Sequence, residues 1–129
     1  TKDDGAYKQK GVEKPKRIYS RAGSKNETLV AVQSRSHGSD KLIEELKEKG
    51  LTVSETIPAG SSLKFCLVAE GEADIYPRMG PTMEWDVAAG DCVYRYSARE
   101  GVHPSPLTYN KPDLKNGSFL IGVKENVEF

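Results

Sequence analysis

The stretch GSSLKFCLVAEGEADIYPRMGPTMEWDVAAGDCV, residues 60–93, decides the fold. It opens on two serines able to cap a helix, followed by the apolar cluster Leu63, Phe65, Cys66, Leu67 and Val68. That pattern predicts a helix from Ser61 or Ser62 to about Glu70. A short strand over ADIYP, terminated by Pro77, is expected next. A second buried helix then covers residues 84–98, with Val87, Ala88, Cys92, Val93 and Tyr96 spaced for one face. Trp85 is expected to pack at the start of that helix, and the small residues Ala88 to Gly90 to let it approach the sheet.

Upstream, TLVAVQS (residues 28–34) is a β-branched run of the kind that forms a buried strand, and SRSHGSD after it reads as a loop. Ser39 or Asp40 can cap a helix over KLIEELKEKG, with Leu42, Ile43 and Leu46 as its apolar stripe, Glu45 and Lys49 as an i,i+4 pair, and Gly50 as its stop. LTVSETI, residues 51–57, alternates as a strand and ends at Pro58. Downstream, a loop holding Pro104 and Pro106 leads through a short PLTYN segment to a last strand, SFLIGV, residues 118–123. Strands alternating with helices in this order predict an α/β fold: a layered sandwich of a largely parallel mixed β-sheet with flanking helices.

Residues 5–19 carry turn signals at Gly5, Gly11 and Pro15 between short mixed segments, which suits one or two strands lacking a core of their own. They read as the edge of another sheet, free to pair with a second copy's edge. The expected division is therefore residues 1–26, strands and a linker belonging to a preceding domain, and residues 27–129, an α/β domain. The zero net charge conceals an asymmetry in the same place, since residues 1–26 hold eight Lys/Arg against three Asp/Glu. With only Tyr7 and Tyr19 as aromatics, that arm suits a solvated strand pair better than a nucleic-acid contact. No apolar run approaches the roughly 18 residues of a membrane span. Cys66 and Cys92 lack a CxxC neighbour and read as buried thiols of a reducing, cytoplasmic compartment. The first residue is Thr1, so a piece of a longer protein is expected.

Four places could carry chemistry. Ser61 and Lys64 lie three apart at a helix start, where unpaired N–H groups and a lysine together make a phosphate seat; the plain alternative is a capping serine and a solvated lysine. His37, in SRSH, lies just past the C-terminal end of a strand, where ligands of open α/β sheets bind. Arg78, between Pro77 and Gly80, could offer a bidentate fork to phosphate. Asp86 is either an ordinary cap of its helix or a ligand for a hard cation such as Mg²⁺. Asp91, about 140° further round a helix, cannot help it.

Residues 60–93, with SRSH at 34–37 and YNKPDL at 109–114, resemble the C-terminal half of the 3′(2′),5′-bisphosphate nucleotidases of the CysQ type, among the inositol monophosphatase-like phosphatases. The resemblance implies the C-terminal domain of a two-domain α/β enzyme. It also implies hydrolysis of the 3′-phosphate of adenosine 3′,5′-bisphosphate to AMP and phosphate, in sulfur assimilation or nucleotide recycling. Asp86 then matches the family's C-terminal Mg²⁺ ligand, Ser61 and Lys64 the residues that hold the nucleotide's phosphate side, and Arg78 and His37 further nucleotide contacts. The family's other metal ligands lie in a glutamate motif and a DPxDGT-type motif, and neither string occurs in these residues. The chain alone is therefore expected to be inactive and to need the N-terminal domain of the same enzyme. Inositol phosphates or sugar bisphosphates are the alternative substrates, and a non-catalytic nucleotide-binding module is the alternative role.

Overall fold

The computed structural model describes residues 3–21, 28–34 and 40–122. Its elements run β1 (Tyr7–Lys8), β2 (Lys16–Arg17), β3 (Leu29–Gln33), α1 (Asp40–Glu48), β4 (Val53–Pro58), α2 (Leu63–Ala69), β5 (Tyr76–Arg78), β6 (Thr82–Met83), α3 (Glu84–Arg95), β7 (Lys115–Asn116) and β8 (Phe119–Ile121). β3 pairs in parallel with β4 and, at Ala31, makes a parallel bridge to Ile75 just before β5, while β5 pairs antiparallel with β8. The strands thus lie in the order β4, β3, β5, β8, a mixed arrangement with its antiparallel member at one edge. No described helix is long and apolar enough to cross a membrane.

Period-two alternation splits the core between the two faces of this sheet. Ala31, Ile75 and Leu120 join Leu29, Leu46 and Leu51 in one cluster, beneath α1. Their neighbours Val32, Tyr76, Phe119 and Ile121 join Phe65, Val68, Val87 and Tyr94 in the other, beneath α2 and α3. A strand buried on both faces reads as an apolar run, which is why LVAVQ lacks a polar alternation.

The strand expected to end at Pro77 continues through it to Arg78. Ile75 donates its N–H to Val30 on the β3 side, so Pro77, two residues on, turns its missing N–H to that same side, where β3 no longer pairs. The apolar face assigned to α3 is also rotated from expectation. Its buried residues are Glu84, Val87, Gly90, Asp91 and Tyr94, whereas Ala88 and Cys92 are exposed and Trp85 is 67% exposed. Two carboxylates stand in the buried stripe because each finds donors there. Asp91 accepts from Arg95 Nε (2.8 Å), Ser105 Oγ (2.6 Å) and Tyr109 OH (2.7 Å), and Glu84 pairs with Lys111 (3.4 Å). A hydrophobicity pattern cannot reveal a charge whose partners lie elsewhere in the chain. Gly90 does permit a close approach, but to Phe65 of α2 rather than to the sheet. Cys66 is half-buried and Cys92 exposed, both free, which corrects the expectation of two buried thiols. PLTYN forms no strand; β7 lies after it, and Val123 falls outside the described residues.

β1 and β2 pair antiparallel with each other, Tyr7 opposite Arg17, and make no ladder with the four-stranded arrangement. The arm is held at the C-terminal end of α3. Ala6 and Ser20 donate their N–H groups to Tyr96 and Ser97 carbonyls, and the Arg17 guanidinium donates to the carbonyls of Ala6, Ile18, Tyr96 and Ala98. A cation is well placed where a helix leaves its last carbonyls unpaired.

Candidate functional site

The C-terminal ends of β3 and β5 and the starts of α2 and α3 converge on a cavity of about 320 Å³. Ser34, Ser61, Lys64, Tyr76, Arg78 and Asp86 are among its lining residues. Four of the five side chains singled out in the sequence therefore share one wall, drawn from stretches up to 25 residues apart between Ser61 and Asp86. His37 lies outside the described residues. Strand ends and helix starts meet on the same side of a parallel sheet, which is why such folds place ligands there.

Lys64 is the least ordinary member. It is only 3% exposed, its Nζ donates to Ala59 O (3.3 Å), and it lies 5.4 Å from the centroid of the Tyr76 ring. Burial lowers its pKa, and the neighbouring Arg78 guanidinium lowers it further. Among the described residues no carboxylate forms an ion pair with Lys64 or Arg78, and Arg78 Nε is buried with no hydrogen-bond partner. Two partly desolvated cations side by side repel each other, and an anion between them would relieve both. Burial also pushes the Tyr76 phenol up, against the opposing pull of Arg78.

The backbone part of the expected phosphate seat is altered. Lys64 and Phe65 donate their N–H groups to Ser61 O (3.4 Å) and Ser62 O (3.1 Å), so these two amides of the first turn of α2 are already spent. Ser62 makes no side-chain cap, and Ser61 takes a left-handed φ of 49°. A non-glycine residue in that region is strained, and strain of this kind gathers at binding sites. Ser61 and Lys64 both line the cavity.

Asp86 is the third residue of α3, and its Oδ2 accepts the Met83 N–H at 2.9 Å. The capping role is thus real. Oδ1 has no protein donor among the described residues. Among the described residues Asp86 is the only carboxylate lining the cavity, and no three His, Cys, Asp or Glu side chains cluster to hold a metal. Asp91 is buried in its own network and Glu84 turns to Lys111.

Tyr76 and Ser34 were not foreseen as lining residues. Tyr76 was within reach of the sequence: it stands two before Arg78 on a strand, and strand residues two apart share a face.

The profile of the inositol monophosphatase family matches residues 2–97. The chain belongs to the inositol monophosphatase family. Within it, the chain is 51% identical over 100 residues to the 3′(2′),5′-bisphosphate nucleotidase CysQ of Escherichia coli (strain K12), covering 73% of this chain and 39% of that one. It is 31% identical over 128 residues to the CysQ of Aggregatibacter actinomycetemcomitans, covering 95% and 46%. The crystal structure of CysQ from Bacteroides thetaiotaomicron, a bacterial member of the inositol monophosphatase family, superposes with a TM-score of 0.69 at 38% identity, over 95% of this chain and 52% of that one. The chain thus spans about half or less of the length of these inositol monophosphatase relatives, and the α/β arrangement described above is shared with that solved relative.

Proposed function

We propose that this chain is the nucleotide-facing part of a Mg²⁺-dependent phosphatase that removes the 3′-phosphate of adenosine 3′,5′-bisphosphate, giving AMP and phosphate. The observation that carries this reading is the pair Lys64 and Arg78: two adjacent cations without carboxylate partners among the described residues, on the wall of a cavity that also holds Ser61 and Asp86. Likeness to CysQ nucleotidases along nearly the whole chain supports the substrate class. In this reading Lys64 and Arg78 hold the phosphate groups, Ser61 donates a hydrogen bond, and His37 adds a contact.

Asp86 would supply one ligand to Mg²⁺ through the oxygen its cap leaves open. When bound, such an ion polarises the phosphoryl oxygen and activates water. One carboxylate fits one corner of a metal site and no more, so the remaining ligands would come from the N-terminal domain, to which residues 1–26 would also belong. The chain alone binds nucleotide and does not turn it over. Sulfur metabolism in the cytoplasm is the setting this reading assigns.

Phosphate release from adenosine 3′,5′-bisphosphate tests the reading: the 129-residue chain should give none above its Asp86→Ala variant, and a longer form with the N-terminal part should give ready turnover. A longer form that prefers inositol monophosphate or fructose 1,6-bisphosphate would overturn the substrate class. A nucleotide-binding module without catalysis is the second reading, which the lack of a three-ligand cluster among the described residues permits. Tight binding that ignores Mg²⁺ in the longer form would establish it.

A further inference from the structure

On the other side of Arg78 lies a second cavity, of about 400 Å³, which shares Ser34, Tyr76 and Arg78 with the first. Gln33 and Arg78 face it from the ends of β3 and β5, and Leu42, Pro77, Met79 and Pro81 form apolar walls. Gln33 is 8% exposed, and its backbone is fully placed: it pairs with Pro58 in the β3–β4 register, and its carbonyl accepts the Ala59 N–H at 2.9 Å. Its side-chain Nε2 nevertheless has no hydrogen-bond partner, and neither does Arg78 Nε. These are the two orphaned buried side-chain polar atoms among the described residues, and both belong to residues lining this one cavity. Folding does not leave buried donors unmade without cost, and a ligand acceptor is the simplest means of satisfying them.

The chemistry of the walls selects the acceptor. A carboxamide offers a donor without charge, and two prolines, a leucine and a methionine offer nothing to an anion but desolvation. The one cation lining this cavity, Arg78, is shared with the first, where Lys64 joins it. An uncharged ring nitrogen or carbonyl on a flat apolar body suits these surroundings, and a pocket of this volume is within the range that holds such ligands. We propose that Gln33 is a specificity-determining residue: its amide N–H bonds a ring acceptor of a heterocyclic base seated in the second cavity, while the phosphate groups lie across Arg78 beside Lys64. The inference rests on the nucleotide reading above and assigns the base its place.

Titration calorimetry on the 129-residue chain tests it, with adenosine 3′,5′-bisphosphate and inorganic phosphate as probes. Gln33→Leu should weaken the nucleotide about tenfold, the value of one hydrogen bond, and leave phosphate within about twofold. Gln33→Met, which keeps the length of the side chain, carries the same comparison if the leucine variant fails to fold. Unchanged nucleotide affinity overturns the proposal, as does an equal loss for both probes, which would make Gln33 an anion contact or a support of the fold. Wild-type chain that binds phosphate but not the nucleotide overturns the nucleotide reading itself; wild type that binds the nucleotide with an indifferent Gln33 overturns only the inference.

Discussion

Gly90 of α3 lies so close to Phe65 of α2 that a Cβ built on it would fall 2.6 Å from Phe65 Cδ2. The ring cannot step aside, because it stacks on Phe119 and meets Tyr76 edge-on. Gly90→Ala should therefore destabilise the fold by about 1–3 kcal/mol, as overpacking does. Urea denaturation checks this, and an unchanged midpoint would mean that the two helices can part without cost.

Asp91, 1% exposed, ties the 105–109 loop to α3 through Ser105 and Tyr109. Asp91→Ala removes the shared acceptor of Arg95 Nε and both hydroxyls, while Arg95 keeps its bond to the Leu107 carbonyl, and is expected to cost about 1–3 kcal/mol. The same variant should make that loop the first site of limited proteolysis. Equal protection of the loop in variant and wild type would refute the tether.

Asp86 caps α3, and the proposed function gives it a second, separable task at Mg²⁺. Asn can still accept the Met83 N–H, so Asp86→Asn should hold stability within about 0.5 kcal/mol, while Asp86→Ala should lose about 1 kcal/mol with the cap. Both should abolish any effect of Mg²⁺ on nucleotide affinity, since neither carries the charge. Retained Mg²⁺ dependence in either would remove Asp86 from the metal site.

Lys64 must be charged to hold an anion, and burial with the Arg78 charge lowers its pKa. Phosphate affinity should therefore fall as pH rises through that lowered value, before an ordinary lysine would titrate. The loss should reach roughly ten- to a hundredfold, the worth of a charge-assisted hydrogen bond. Lys64→Arg, which stays protonated, should flatten the profile. A profile that is flat in wild type would show that Lys64 does not meet the ligand.

Tyr94 is 3% exposed, and burial pushes its pKa up to about 12. Below pH 10 folded and unfolded chains both keep the proton; between pH 10 and about 12 the unfolded chain sheds it first. Stability should thus fall with rising pH across that window, by about 2–3 kcal/mol from this residue. Chemical denaturation of wild type and Tyr94→Phe from pH 9 to 12 should show the slope reduced in the variant.

The alternation of strands and helices was legible because each signal is local. LVAVQ is a buried run, Leu42 and Leu46 lie one helical turn apart, and Gly50, at φ 87°, ends α1 where the sequence places the stop. The buried face of α3 was not legible. Glu84 and Asp91 look like solvent residues until Lys111, Ser105 and Tyr109 arrive from 14 to 27 positions away to bond them. Trp85, read as a packing residue on size alone, stays exposed because its position on the helix faces away from α2 and the sheet.

By itself, the sequence determined the α/β order of elements and the family resemblance, and it singled out Ser61, Lys64, Arg78 and Asp86 as candidates, since propensity, capping and short motifs act over a few neighbouring residues. Only the tertiary structure decided that Lys64 is buried beside Arg78, that the Lys64 and Phe65 amides are already spent, and that Gln33 and Arg78 share a second cavity. Burial, electrostatic proximity and an unmade hydrogen bond are properties of surroundings, and those surroundings form only when β3, β5, α2 and α3 pack together.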